Sequence, residues 1–156
     1  MPLNEGKKLS LTINGVAYAL SIIPGETLAE LLRQRLHLTG TKIGCNEAEC
    51  GACTVLMNDE PVFSCSYPAV RAQGKEIITI EGLAKDGQLD VVQQTIIEKG
   101  GVQCGFCTPG MLISATALLK RNAHPTDVEI REAIVGNLCR CTGYVRIVDA
   151  IKQSAK

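Results

Sequence analysis

IGCNEAECGACTV, residues Ile43–Val55, sets Cys45, Cys50 and Cys53 within nine residues and surrounds them with Gly44, Gly51, Glu47 and Glu49. Thiols packed so densely serve a metal, redox chemistry or a disulfide framework. The chain has eight cysteines in 156 residues, the others being Cys65, Cys104, Cys107, Cys139 and Cys141. Its start, MPLNEGKKLSLTINGVAYAL, lacks both an apolar h-region and a small-residue cleavage site, and no apolar run approaches ~18 residues. The expectation is a soluble cytoplasmic chain with no membrane insertion, in which thiols stay reduced. Metal or redox chemistry therefore takes precedence over a secreted disulfide scaffold.

The spacing sorts the cysteines into two sets of four. Cys45, Cys50 and Cys53 follow C-x4-C-x2-C, with Cys65 arriving later from the end of an expected strand. This is the plant-type ferredoxin spacing for a two-iron, two-sulfur cluster. Such a cluster carries about two net negative charges when oxidised, so its loop has to turn main-chain N–H groups onto sulfur. Gly44 and Gly51 let the backbone approach without a Cβ in the way. The second set is Cys104 and Cys107, spaced C-x2-C, with Cys139 and Cys141, spaced C-x-C. QCGFCTPG and NLCRCTGY each stand directly before an expected helix, so two helix N-termini and their partial positive charge converge on four thiolates. Structural zinc for the first set and a thioredoxin-like dithiol for the second are the rival readings. Zinc sites more often repeat C-x2-C, and no βαβ pattern surrounds the second set.

On the N-terminal side of the decisive stretch, KLSLTINGVAYALSI alternates apolar and polar residues on both sides of Asn14-Gly15, a hairpin signal. Pro24-Gly25 ends the strand. TLAELLRQRL then predicts an amphipathic helix with Leu28, Leu31, Leu32 and Leu36 on one face and Thr27 with Glu30 as a capping box. After the cysteine loop, CTVLMND and EPVFSCS predict two strands joined near Asp59-Glu60, and KEIITIEG a last one. The pattern is an α+β sheet with one helix across it.

LAKDGQ, Leu83–Gln88, changes the period and marks a boundary, giving domains 1–82 and 83–156. Four helices are expected beyond it. One carries Leu89, Val92 and Ile96 on a face and ends at Gly100-Gly101; one has Thr108 as N-cap and Pro109 at its first position; one opens on a Thr126/Glu129 capping box; and GYVRIVDAIKQSAK closes the chain.

Lys and Arg number 16 and Asp and Glu 16, so no global field points to nucleic acid or anionic lipid. His37 and His124 read as solvated surface residues, and Glu47 and Glu49 as loop charges. No Ser-His-Asp arrangement, phosphate-cradling glycine loop or HExxH occurs.

GCNEAECGACTV, QCGFCTPGM and GNLCRCTGY, three separate motifs in order, resemble the small iron-sulfur subunit of the molybdenum hydroxylases, the xanthine dehydrogenase and aldehyde oxidoreductase family. The resemblance covers nearly the whole chain. It implies a β-grasp ferredoxin-like domain followed by an all-α four-helix domain with pseudo-two-fold symmetry, each holding one 2Fe-2S cluster. Cys45, Cys50, Cys53 and Cys65 would bind the cluster facing a flavin subunit, and Cys104, Cys107, Cys139 and Cys141 the one nearest the molybdenum cofactor. Gln103 and Cys141 would lie against the pterin, where an amide can both donate and accept. The implied function is electron transfer from a molybdopterin centre through both clusters to FAD, the pterin belonging to a large partner subunit and the FAD to a medium one, often as a dimer of heterotrimers. The substrate, a purine, another N-heterocycle or an aldehyde, belongs to the large subunit. A partner with an export signal would carry the complex to the periplasm.

A free two-cluster ferredoxin is the alternative. Free carriers are usually strongly acidic and this chain is neutral. The segment GMLISATALLK, apolar nearly all round, reads as buried in a larger assembly. One departure from the family pattern stands at Ala48, where many members have Gly. A left-handed backbone there costs alanine about 1 kcal/mol.

Overall fold

Asn14 and Gly15, at φ 50° and 81°, turn the chain between β1 (Lys8–Ile13) and β2 (Val16–Ser21), two left-handed residues as a tight hairpin requires. The computed structural model describes residues 8–155; the part of the leader reading that falls on residues 1–7 lies outside them. Leu9, Leu11 and Ile13 of β1 are buried, as the alternation predicts. A second hairpin joins β3 (Thr54–Met57) to β4 (Glu60–Phe63) through Asn58 and Asp59, at φ 49° and 66°, one residue earlier than the expected turn. β5 (Glu76–Ile78) inserts between the hairpins, parallel to β1 and antiparallel to β3, giving the order β2-β1-β5-β3-β4. Pro61 thereby falls on an edge strand, where its missing N–H breaks no ladder.

The first helix departs from expectation after one turn. Thr27 and Glu30 form the capping box of α1 (Leu28–Glu30), but Leu31–Arg35 widen into a π-type turn closed by the Leu36 N–H on the Leu31 carbonyl at 3.2 Å. Arg33 reaches the carbonyls of Thr39 and Thr41, and Arg35 reaches Ser21 and Glu26, which draw the end of the segment towards its neighbours. Leu28, Leu31 and Leu32 stay buried against the sheet. The last strand is also shorter than KEIITIEG suggests, because Ile80–Gly82 coil into a 3-10 turn once the Thr79 N–H is taken by the Asn14 side chain.

Beyond a tight turn at Asp86-Gly87 come α2 (Val91–Glu98), α3 (Thr108–Arg121), α4 (Asp127–Ile134) and α5 (Val145–Ser154). Asp90 with Gln93, and Thr126 with Glu129, cap α2 and α4 reciprocally. Leu89 is not part of the α2 face; it precedes the Asp90 cap and is half exposed. Thr108 is not the N-cap of α3 but its first residue, since the Cys107 carbonyl already accepts the Met111 N–H at 3.1 Å.

β3 is buried on both faces. Val55 and Met57 join Leu9, Leu31, Leu32 and Ile77, whereas Leu56 joins Met111, Ile113 and the helical core. The apolar α3 is therefore covered from within the chain, by β3 on one side and by α2 and α4 on others. That corrects the expectation that an all-round apolar helix there marks burial against a partner. Among the described residues no helix is long and apolar enough to cross a membrane.

Candidate metal centres

The loop between the π-type turn and β3 has no regular structure and is shaped by left-handed residues: Asn46 at φ 61°, Ala48 at 60° and Gly51 at 70°. These turns aim main-chain donors inward. The Cys45 sulfur accepts from the N–H groups of Glu49 at 3.3 Å and of Glu47 and Cys50 at 3.4 Å, while the Cys45 N–H meets the Cys50 sulfur at 3.4 Å. The N–H groups of Cys50, Glu47 and Glu49 bring the Cys45 thiol down to about 6. A nest of amides around sulfur suits a thiolate that must share negative charge with a cluster. A Cβ on Gly44 would stand 2.9 Å from the Cys50 sulfur, so only glycine leaves the thiol its place.

Cys53 and Cys65 come from the other side of the loop. Cys53 leads into β3 and Cys65 follows β4, and the hairpin register puts Thr54 opposite Phe63 so that the two thiols converge. Ser64 fixes this pairing by giving both its N–H and its hydroxyl to the Cys53 carbonyl, at 3.3 and 2.6 Å. Burial pushes the Cys53 thiol up to about 11, the Cys65 N–H working against the rise and the Cys65 thiol with it.

The second set gathers between the starts of α3 and α5. The Cys104 and Cys141 sulfurs lie 3.6 Å apart and both residues are exposed. Cys107 is buried beside Cys139; burial first, then Cys139, push its thiol up to about 12. Burial also works against the Cys139 thiolate, but the Thr142 hydroxyl and nearby N–H groups outweigh it and leave that thiol below its ordinary value.

The eight thiols thus meet in four pairs: Cys45 with Cys50, Cys53 with Cys65, Cys104 with Cys141, and Cys107 with Cys139. Among the described residues no three or more Cys, His, Asp or Glu side chains gather as ligands of a single metal ion. Two iron atoms bridged by sulfide take two thiolates each, so the paired arrangement fits a 2Fe-2S cluster in each set better than one tetrahedral zinc ion. His37 and His124 are exposed and so are Glu47 and Glu49, as their sequence context implies. Gln103 is exposed beside Cys104, with Val102, Phe106, Leu138 and Val145 exposed on the same motifs.

The sequence reading passed over four residues that the structure brings to these centres. Asn137 is 3 % exposed and donates to the Gly51 carbonyl at 2.9 Å and to the Thr54 hydroxyl at 3.1 Å, while its oxygen accepts from Ser114 at 2.7 Å. The Leu138 N–H also reaches the Cys50 carbonyl at 2.9 Å, so the two cysteine loops are tied directly. Thr142 and Tyr144 bond around Cys139. An asparagine two residues before a cysteine was the available signal for the first; nothing local marks its partners, which are distant in sequence.

Two family descriptions match the chain: a 2Fe-2S iron-sulfur cluster binding domain over residues 11–79 and a [2Fe-2S] binding domain over residues 79–152. The nicotinate dehydrogenase small FeS subunit of Eubacterium barkeri is 48 % identical over 95 % of this chain and 94 % of its own length. The xanthine dehydrogenase iron-sulfur-binding subunit of Escherichia coli O157:H7 is 49 % identical over 98 % and 97 %. Among solved structures, a chain of quinoline 2-oxidoreductase from Pseudomonas putida 86 superposes with a TM-score of 0.92 at 45 % identity, covering 95 % of this chain and 91 % of that one.

Proposed function

The chain belongs to the family of small iron-sulfur subunits of the molybdenum hydroxylases, and on that premise we propose that it is the electron-transfer subunit of a molybdopterin-dependent hydroxylase or dehydrogenase. The observation that carries this reading is the gathering of eight thiols into two sets of two pairs, joined by the Leu138–Cys50 and Asn137–Gly51 hydrogen bonds. Cys45, Cys50, Cys53 and Cys65 hold one 2Fe-2S cluster and Cys104, Cys107, Cys139 and Cys141 the other. When bound, these clusters supply one-electron transfer between a molybdenum centre and FAD, each held by a partner subunit. The chain's own residues do three things: they present thiolates in pairs, neutralise them with aimed N–H groups, and hold the two loops in contact.

The division falls at residues 82 and 83, with a β-grasp, ferredoxin-like unit before it and an all-α four-helix unit of pseudo-two-fold symmetry after it. The shared burial of Leu56 keeps the two units from being independent. Gln103 and Cys141 face the pterin of a large subunit, a role supported by their exposure beside an apolar rim of Val102, Phe106, Leu138 and Val145. The Cys45 loop faces a medium FAD subunit, and the assembly doubles as a dimer of heterotrimers. It works in the cytoplasm, or in the periplasm where a partner carries the export signal.

The test is anaerobic purification of the tagged chain from its native cells, with molybdenum, iron and flavin quantified in the product. Molybdenum and flavin arriving with two larger chains is the expected result. A lone brown protein with iron and no molybdenum identifies a free two-cluster carrier instead, and a colourless zinc protein overturns both.

A further inference from the structure

The two cysteine sets receive their hydrogen bonds in different ways. The Cys45 sulfur takes three main-chain N–H groups, which no substitution short of proline removes. Cys139 is served otherwise. Its own N–H is directed away from sulfur, to the Tyr144 phenol oxygen at 2.8 Å. Its sulfur lies 3.1 Å from the Thr142 hydroxyl oxygen, a side-chain donor added to the nearby N–H groups of Cys141 and Thr142. That oxygen already accepts the Tyr144 N–H at 3.2 Å. A thiolate can only accept, and with the Tyr144 N–H occupying the hydroxyl oxygen, the hydroxyl hydrogen is left for sulfur. Tyr144 holds this geometry at φ 69°, a left-handed backbone that a non-glycine residue adopts at a cost and that persists only where its surroundings fix it. The turn from Cys139 to Tyr144 is thus a closed ring of three hydrogen bonds, the third of which is the Thr142 hydroxyl hydrogen on the Cys139 sulfur.

We propose that the Thr142 hydroxyl is a potential-setting donor: by hydrogen bonding to the Cys139 sulfur it raises the reduction potential of the cluster held by Cys104, Cys107, Cys139 and Cys141. The proposal rests on the cluster assignment above. A donor on sulfur stabilises the more negative, reduced cluster more than the oxidised one, and hydrogen bonds to sulfur are among the terms that set such potentials. Thr142 touches no iron in this role. It acts through Cys139, and because the donor is a side chain, substitution can vary this potential without disturbing the Cys45 loop.

The experiment is an anaerobic potentiometric titration of the assembled complex, with dithionite as reductant and paramagnetic resonance reading the two cluster signals. The signal that Cys107→Ser removes identifies the second set. In Thr142→Val, which keeps the shape and loses the hydroxyl, that signal's reduced-to-oxidised ratio at fixed potential is expected to fall about tenfold, a midpoint about 59 mV lower for a one-electron couple. Thr142→Ser should restore it, and the other signal should not move. An unchanged midpoint in Thr142→Val at full signal intensity overturns the proposal. If that variant loses the signal, Thr142→Ala carries the same titration. Loss in both, with serine retained, would make the hydroxyl an assembly requirement and overturn the tuning role. Absence of two cluster signals in the wild type overturns the assignment beneath it instead.

Discussion

The Asn137 side-chain amide donates to the Gly51 carbonyl at 2.9 Å, across 86 positions of sequence, and both groups are buried. Gly51 lies between Cys50 and Cys53, and Asn137 two residues before Cys139. Together with the Leu138 N–H on the Cys50 carbonyl, this bond sets the spacing between the two cysteine loops, and Ser114 of α3 holds the amide in orientation from behind.

Asn137→Ala removes a donor from Gly51, another from Thr54 and an acceptor from Ser114, all in a dry setting. Leaving buried partners unmet costs about 1–3 kcal/mol for each group left unmet. The Gly51 carbonyl keeps Thr54 as a donor, so the total should lie near 3 kcal/mol rather than the full sum. Thermal unfolding of the cluster-loaded protein checks it, with Ser114→Ala as the milder comparison. Equal melting of wild type and Asn137→Ala would remove the amide from any fixing role.

Gly110 tests the same junction from the helix side. A Cβ there would lie 2.2 Å from the Gly51 carbonyl oxygen, a backbone atom with little room to yield. Glycine to alanine within a helix ordinarily gains about 1 kcal/mol. Overpacking at this distance costs about 3 kcal/mol or more and should win. Gly110→Ala is expected to lower the melting temperature and loosen both clusters, measured as iron retained after gel filtration. A rise in stability would show that α3 can slide away from the first loop.

What was legible in the sequence follows from how local each signal is. The Asn14-Gly15 hairpin and the Thr27/Glu30 and Thr126/Glu129 capping boxes depend on residues within a few positions of one another, and all appear as read. The π-type turn at Leu31–Arg35 was not legible, because the partners that Arg33 and Arg35 meet there lie on other segments. Nor was the role of α3: an apolar all-round helix says that something covers it, not that β3 of the same chain does. The Cys107 cap moved by one residue for a local reason that a Thr-Pro pair obscured.

Ala48 sits at φ 60°, in the region where glycine is unstrained and alanine is not. The sequence comparison with the family pattern anticipated this cost. Ala48→Gly should therefore stabilise the loaded protein by about 1 kcal/mol, less whatever backbone freedom glycine adds to the unfolded chain. Equilibrium unfolding at several denaturant concentrations checks the sign. A clear loss of stability would mean that the Ala48 methyl makes contacts worth more than the strain.

The capping carboxylates carry a pH dependence. Glu30 accepts from the Thr27 N–H at 2.8 Å and Glu129 from the Thr126 N–H at 2.7 Å, and these backbone bonds, with the threonine hydroxyls, hold both carboxyls below the ordinary glutamate value. A depressed folded value means that stabilisation is complete above the unfolded value and disappears as pH falls through the folded one. Glu129→Gln should accordingly be less stable than wild type at pH 7, and the gap should close on acidification below about pH 4.5. The difference in denaturant midpoint between the two proteins isolates this effect from acid loss of the clusters. A gap that widened on acidification would reverse the sign and remove the cap as its source.

Cys107→Ser separates the two sets. Cys107 is buried beside Cys139 and lies outside the first loop, so its replacement should abolish one paramagnetic signal and leave the signal of the Cys45 set in place. Cys53→Ser should do the converse, since Cys53 pairs with Cys65 within the β3–β4 hairpin. Serine keeps the size of cysteine and loses the soft thiolate that iron-sulfur clusters require, so the contrast reports on ligation rather than packing. Iron should fall to half of the wild-type content in each variant, and turnover in the assembled enzyme should stop in both, because each set is one leg of a single route. Two undiminished signals in either variant would mean that its sulfur is not a ligand. Loss of both signals from one substitution would mean that the Asn137–Gly51 tie couples the loops so tightly that neither cluster assembles alone.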